Sequence, residues 1–333
     1  LAPVPLSLER PRDWIKRPRT QQLLQVGGYV IAALCLIWVF RGINFKSFVH
    51  QFEILEPVPL CIAVAFSTAV YFVNSLRWML LLRPLGKVSY GRTLQSVYIG
   101  LFCNEVLPLR PGELIRCYLL SRWSALPLAS MFASAAVERI LDGICLMVGF
   151  FAVACTMRLP RPLVTGALIL GACLVVLAAV WMSHAARART HRTGAPHEAK
   201  KAMTRFLHAL ACMGNVRVAL PTFAVSCLSL GCLILAMWFL MRGGRIGLSL
   251  AEAAAVFLII RVGTVIPSAP GNIGSYQFFC VLGMGLFGIN KSAAAAFSLL
   301  VYSAFTLPLL IGGAIAVAAS GLKLKSLVVA AES

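Results

Sequence analysis

Between Arg217 and Arg242 the chain runs through 24 residues without one charged side chain. As a helix, that stretch covers about 36 Å, more than the hydrocarbon core of a bilayer. Lipid offers no partner to backbone N–H and C=O groups, so a spanning segment must satisfy them internally, as a helix does. Similar stretches read as spans over residues 22–40, 58–82, 127–157, 163–182 and 292–319, with the charge-free run itself over 218–241. With 60% hydrophobic and 12% charged residues over 333 positions, the chain is a polytopic membrane protein and not a water-soluble domain.

The net charge of +19 would suit nucleic acid, but the basic residues gather at the ends of spans and form no soluble face. The partners expected for them are anionic headgroups at the cytoplasmic face. Residues 1–21 read as a basic cytoplasmic arm, since the apolar run behind Arg10, Arg12, Lys16, Arg17 and Arg19 is too long for a signal peptide. Arg77 and Arg83, near the end of the second span, read as side chains that snorkel to an interface. The 11 cysteines lie mostly singly in apolar segments (Cys35, Cys61, Cys145 among them), without a Cys-x-x-Cys, and read as small buried hydrophobes. The histidines have no metal-ligand spacing, so neither a metal nor a cofactor is expected.

Two apolar stretches are broken by proline and glycine. The first, 93–121, carries Pro108, Pro111 and Gly112; the second, 249–288, carries Pro267, Pro270 and Gly271. The two sets stand 159 residues apart, each after an apolar segment of about four turns and before a full-length helix. Proline removes a backbone donor and Pro-Gly favours a sharp reversal. Such breaks at matching places in two halves point to the binding site of a transporter, as re-entrant helical hairpins. A cytoplasmic loop between two spans is the plainer reading of the first.

Counting both as re-entrant leaves six full crossings. The basic arm, the 83–92 loop, the 184–217 loop and the 321–333 tail then share one side, the cytoplasm by the positive-inside rule. The halves 22–183 and 218–320 would be inverted relative to each other. Two full spans in place of each hairpin, eight in all, keep the same partition. Within the 184–217 loop, residues 199–213 read either as an amphipathic helix on the membrane surface or as part of a solvated linker.

Eight charged residues fall in or beside apolar segments: Glu105, Arg110, Glu113 and Arg116 around the first break, Glu138, Arg139 and Asp142 in the helix after it, and Arg261 before the second break. Unpaired, each would cost about 2.5–3.5 kcal/mol at a helix centre. With four acids and four bases the set can neutralise itself. Ion pairs that only fix packing are the bland reading, which weighs most on Glu138 and Arg139. A polar site at the midplane is the sharper one.

The run Asn104-Glu-Val-Leu-Pro-Leu-Arg-Pro-Gly-Glu-Leu-Ile-Arg116, then Glu138-Arg139-Ile-Leu-Asp142, then Pro267-Ser-Ala-Pro-Gly-Asn-Ile-Gly274, resembles the transmembrane domain of lysylphosphatidylglycerol synthases and its stand-alone relatives. The resemblance implies a bacterial or archaeal plasma-membrane protein that moves a lipid between leaflets. In the synthases a soluble domain makes the lipid; none follows the last span in this sequence, so no enzyme activity is carried over. Stand-alone relatives are linked to several lipids, isoprenoid and hopanoid among them.

The expectation is therefore an all-α flippase of the bacterial inner membrane, with both termini cytoplasmic, two inverted repeats and no catalytic residue. Arg110 and Arg116 would meet a phosphate-bearing headgroup. Glu105, Glu113, Glu138 and Asp142 would hold those arginines or meet a cationic headgroup, with Asn104, Arg139 and Arg261 beside them. Asn272, Ser275 and Gln277 would complete the site. Two alternatives stay open: a secondary transporter of a small organic anion, and a non-catalytic membrane partner of a lipid-biosynthesis enzyme. Membrane lipids are the expected partners, with a homo-oligomer or such an enzyme compatible with the basic loop.

Overall fold

The computed structural model describes residues 19–107, 110–157, 165–166, 171, 198–265 and 269–321, without the side chains of 19–25 and 198–202. Pro108, Pro267, nearly all of the 163–182 span and the 321–333 tail beyond Gly321 lie outside the described residues, as do the arm before Arg19 and most of the 184–217 loop.

Every regular element among the described residues is helical. In chain order they are α1 (Arg19–Phe40), α2 (Phe45–Glu53), α3 (Pro57–Leu82), α4 (Tyr90–Val106), α5 (Gly112–Ser124), α6 (Leu128–Thr156), α7 (Glu198–Met213), α8 (Val216–Gly243), α9 (Leu250–Gly263), a 3-10 turn (Pro270–Asn272), α10 (Ser275–Gly285) and α11 (Lys291–Ser320). Four of them, α3, α6, α8 and α11, are long and apolar enough to cross a membrane. Residues 26–40 of α1 and the short α2 make a fifth candidate, but only as a pair bent by 91°. Large apolar side chains such as Leu34, Ile37, Val148, Leu220 and Ile311 face outward, as a multi-pass membrane protein requires.

Helix starts follow local chemistry. The Asn44 side chain accepts from the backbone of Lys46 and Ser47 to open α2. Ser249 and Glu252 form a reciprocal capping box on α9, the Ser-x-x-Glu signature of a helix N-terminus.

Adding 159 to Pro57–Leu82 gives 216–241, nearly the bounds of α8. The same shift carries α4 onto α9, α5 onto α10 and α6 onto the first part of α11, and places α2 inside α7. The two copies of the long helix, α3 and α8, pack directly on each other and run antiparallel. Asn74 accepts from Ser229 at 2.8 Å, Phe66 stacks on Phe239, and the backbone of Glu56 donates to Gly243 at 2.8 Å.

Each broken stretch is a pair of helices folded back on itself. At the base of the first pair the Arg92 guanidinium, near the start of α4, donates to the Trp123 carbonyl, near the end of α5. Nearer the tip, a Cβ on Gly112 would collide with the Gly100 carbonyl oxygen, and one on Gly100 would lie 2.7 Å from the Gly112 oxygen. The backbones of α4 and α5 therefore touch, which only glycine at both positions permits.

The two Pro-Gly pairs do different work, contrary to the common reversal expected of them. Gly271 has φ 64 and turns the chain. Gly112 sits in the first turn of α5, and the left-handed residue of the first tip is Arg110, at φ 55.

The segment read as a surface helix or a solvated linker is neither alone. Helix α7 buries Ala209 and Met213 in a cluster with Trp78, Met131 and Val137. Protein covers the later part of its apolar face, while Met203 near its start stays exposed.

Near Gly243, Arg245 Nε donates to Glu56 Oε1 at 3.0 Å, with both side chains largely exposed. Arg245→Ala should therefore cost no more than about 1 kcal/mol. Arg245 stands at φ 53, so Arg245→Gly should melt at or above the wild-type temperature in detergent. A large loss in either would show that the pair carries more than a surface bridge.

Candidate functional site

The tips of the two hairpins meet. A Cβ on Gly271 would collide with the Glu105 carboxylate and the Tyr302 hydroxyl, and Tyr302 donates to Glu105 Oε2 at 3.2 Å. Beside this contact lies a cavity of about 690 Å³, walled by parts of α3, α4, α5, α6, α8, α9, α10 and α11. That volume lies within the range of sites that enclose a small ligand.

One wall carries a ring of six alternating charges, four of which (Arg77, Glu113, Arg139 and Asp142) border the cavity. Glu138 is its hidden pole: Oε1 accepts from Arg77 Nη2 at 2.9 Å and Oε2 from Arg116 Nη2 at 2.6 Å, with 1% of its side chain exposed. Arg77 continues to Asp142, and also donates to Ser226 Oγ at 3.1 Å. Arg116 continues to Glu113, through Nε at 2.9 Å and Nη2 at 2.6 Å. Arg139 closes the circuit, 3.7 Å from Glu113 and 3.4 Å from Asp142. The Arg116 guanidinium also lies 4.6 Å from the centre of the Trp78 ring, whose Nε1 donates to Ser134. Three acids and three bases balance, and each buried charge has partners, as a low-dielectric interior demands.

This arrangement revises several expectations. Arg77 does not snorkel; it is buried in the ring because Glu138 and Asp142, one turn apart on α6, point at α3. Arg116 and Glu138 do not line the cavity. Arg116 follows Gly112 by four residues, so it shares the face of α5 that presses on α4. Ser275 and Gln277 are also buried, and the contacts seen are local. Ser275 Oγ donates to the Asn272 carbonyl, and Gln277 Oε1 accepts from the backbone of Gly274 at 2.7 Å. Asn104 lines the cavity while its Oδ1 accepts from the backbone of Gly112 at 2.8 Å, pinning the start of α5.

Of the expected residues, the cavity brings together Glu105, Arg110, Glu113, Arg139, Asp142 and Arg261, with Asn104 and Asn272. It adds Tyr71, Asn74, Tyr276 and Tyr302, which sequence reasoning missed. Aromatic and amide side chains in apolar helices carry no charge to betray them. The supposed charge balance also fails. With Arg77 counted there are five bases against four acids, and the ring is neutral by itself. Arg110, Arg261 and Glu105 stand outside it. Among the described residues neither Arg110 nor Arg261 has a carboxylate within 4 Å or a side-chain hydrogen bond, and Arg110 Nε is buried without a partner.

Among the described residues no group of three or more His, Cys, Asp or Glu side chains could hold a metal ion.

Comparison with known proteins bears on the same residues. The family described as the lysylphosphatidylglycerol synthase TM region matches residues 25–313. Glycosyltransferase AglD of Haloferax volcanii is 27% identical over 128 residues, 38% of this chain and 20% of that protein. UPF0104 membrane proteins of Methanocaldococcus jannaschii and Methanothermobacter thermautotrophicus are each 26% identical, over 116 and 132 residues. Those matches cover 34% and 39% of this chain and 34% and 37% of the relatives. The similarity thus spans a minor part of each relative's own length.

Proposed function

The chain belongs to the family of the lysylphosphatidylglycerol synthase transmembrane region, and on that premise we propose that it moves a polar-headed or isoprenoid-type lipid between the leaflets of the plasma membrane, without altering it covalently. The observation that carries this reading is the polar cavity at the meeting of two broken helical hairpins, inside helices whose outer surfaces are apolar. A headgroup needs such a polar route, while its tails can stay against the apolar exterior.

The alternation of access follows from the two halves. Helices α3 and α8 are copies at the 159-residue offset and pack antiparallel, which supports an inverted-topology repeat with re-entrant hairpins entering from opposite sides. Exchange of packing between the halves would expose the cavity first to one leaflet and then to the other. Both termini and the segment bearing α7 would face the cytoplasm, where their arginines and lysines meet anionic headgroups.

Reconstitution into vesicles with a fluorescent short-chain lipid tests the function. A reductant added outside should quench probe from both leaflets when the protein is present, and from one leaflet without it. Equal quenching with and without protein would end the proposal. Topology has its own test. Cysteines placed at Ser89 and Arg245 should label from opposite sides of the membrane, and labelling of both from one side would remove the inverted repeat.

A further inference from the structure

The cavity holds more positive charge than the protein itself neutralises. Once the six-membered ring is set aside, two guanidinium groups remain, Arg110 on the first tip and Arg261 on the last turn of α9. Against them stands one carboxylate, Glu105, already engaged by Tyr302. Arg261 exposes its side chain and borders the cavity. The second tip adds a polar group without a partner. Asn272 is 7% exposed, borders the cavity, and leaves its Oδ1 buried and unpaired while its Nδ2 donates to the Thr264 carbonyl at 3.3 Å. The Tyr276 hydroxyl, also on the cavity wall, is likewise buried without a partner.

Uncompensated guanidinium groups in a membrane are costly, and planar forks of N–H donors match the oxygens of a phosphate. We infer that the hairpin tips form a binding site for a net-anionic phosphate ester, with Arg110 and Arg261 holding the phosphate from the two hairpins and Asn272 and Tyr276 meeting its neighbouring hydroxyl groups. Resting on the lipid-translocation reading, this makes the cargo a lipid whose headgroup is net negative, in place of a zwitterionic or cationic one. Two residues that sequence reasoning set in one group part company here: Arg110 takes the ligand, and Arg116 holds the wall.

The site is tested on the full chain in vesicles, with fluorescent short-chain phosphatidic acid, phosphatidylglycerol and phosphatidylcholine as probes. The two anionic probes should exchange at least about tenfold faster than phosphatidylcholine, the worth of one charge-assisted hydrogen bond. Arg110→Gln and Arg261→Gln should each abolish that preference with melting temperatures near wild type. Arg242→Gln, which removes a guanidinium stacked on Trp238 away from the cavity, should keep it.

Equal exchange of phosphatidylcholine and phosphatidic acid by the wild type overturns the anion site while leaving lipid translocation standing, and this outcome decides even where a variant folds poorly. No exchange of any probe, but a rise in melting temperature with phosphatidic acid that both variants lose, supports the site and removes translocation. Inorganic phosphate or glycerol 3-phosphate raising the melting temperature as far as phosphatidic acid does, at equal concentration, overturns the lipid source in favour of a soluble phosphate ester.

Discussion

Glu138→Ala is expected to destabilise the protein by about 3–5 kcal/mol, because it strips Arg77 and Arg116 of the carboxylate they share and leaves two buried cations facing each other. Glu138→Gln keeps the volume but not the charge, and should lose a comparable amount. Asp142→Asn should lose less, since Asp142 is 22% exposed beside the cavity and its site can admit water. The replacement of Arg77, Arg116 and Glu138 together by leucine or methionine should recover most of the Glu138→Ala loss, because the three deeply buried charges then go together, and the partly exposed Glu113 and Asp142 keep Arg139 between them. Melting temperature in detergent, measured on all four, decides the matter. An unchanged temperature for Glu138→Ala would show that the ring does not hold the bundle.

The second large effect lies where α4 and α5 touch. Gly112→Ala places a methyl group against the Gly100 carbonyl oxygen, and backbone cannot move aside as a flexible side chain would. Overpacking in a closed site costs about 1–3 kcal/mol, and the cost should reach at least the upper end here, with the hairpin forced apart. Gly100→Ala should behave alike, since its Cβ would meet both the Gly112 oxygen and the Arg116 side chain. Gly231→Ala, in the middle of α8 with nothing within 4 Å of the added carbon, should instead be neutral or gain up to about 1 kcal/mol. Equal melting of Gly112→Ala and Gly231→Ala would mean that the two backbones do not touch.

Much of this arrangement was legible in the sequence because it is written locally. The long helices follow from charge-free runs, and the hairpin breaks from proline and glycine. The 159-residue repeat of those breaks also holds for whole elements. The site was legible only in part. That Glu138 and Asp142 share a helix face follows from their spacing, but their choice of Arg77, 61 and 65 residues earlier, depends on how α3 crosses α6. Arg77, near a helix end, had an alternative in water, and nothing local decides between the two. Arg110 and Arg116 look alike from composition. They differ because Gly112 fixes the phase of α5, a fact visible once Gly100 is known to face it. Asn272 was legible through its place beside the second Pro-Gly. Tyr276 and Tyr302 were not, since their hydroxyls matter only where two hairpins meet.

All six ion pairs of the ring lie between residues 77 and 142. The equivalents in the second half, 159 residues on, are uncharged: Ala236, Asn272, Ser275, Phe297, Ser298 and Val301 stand for Arg77, Glu113, Arg116, Glu138, Arg139 and Asp142. This one-sidedness has a consequence for biogenesis. A nascent chain passes its charges to the insertion machinery in order, and these can all find partners before α8 has been synthesised. The Ser226 contact and Arg261 arrive later, both beside a ring already neutral. The first half should thus enter the bilayer as a self-sufficient unit. The second, nearly charge-free in its membrane segments, can follow without waiting for ion-pair partners.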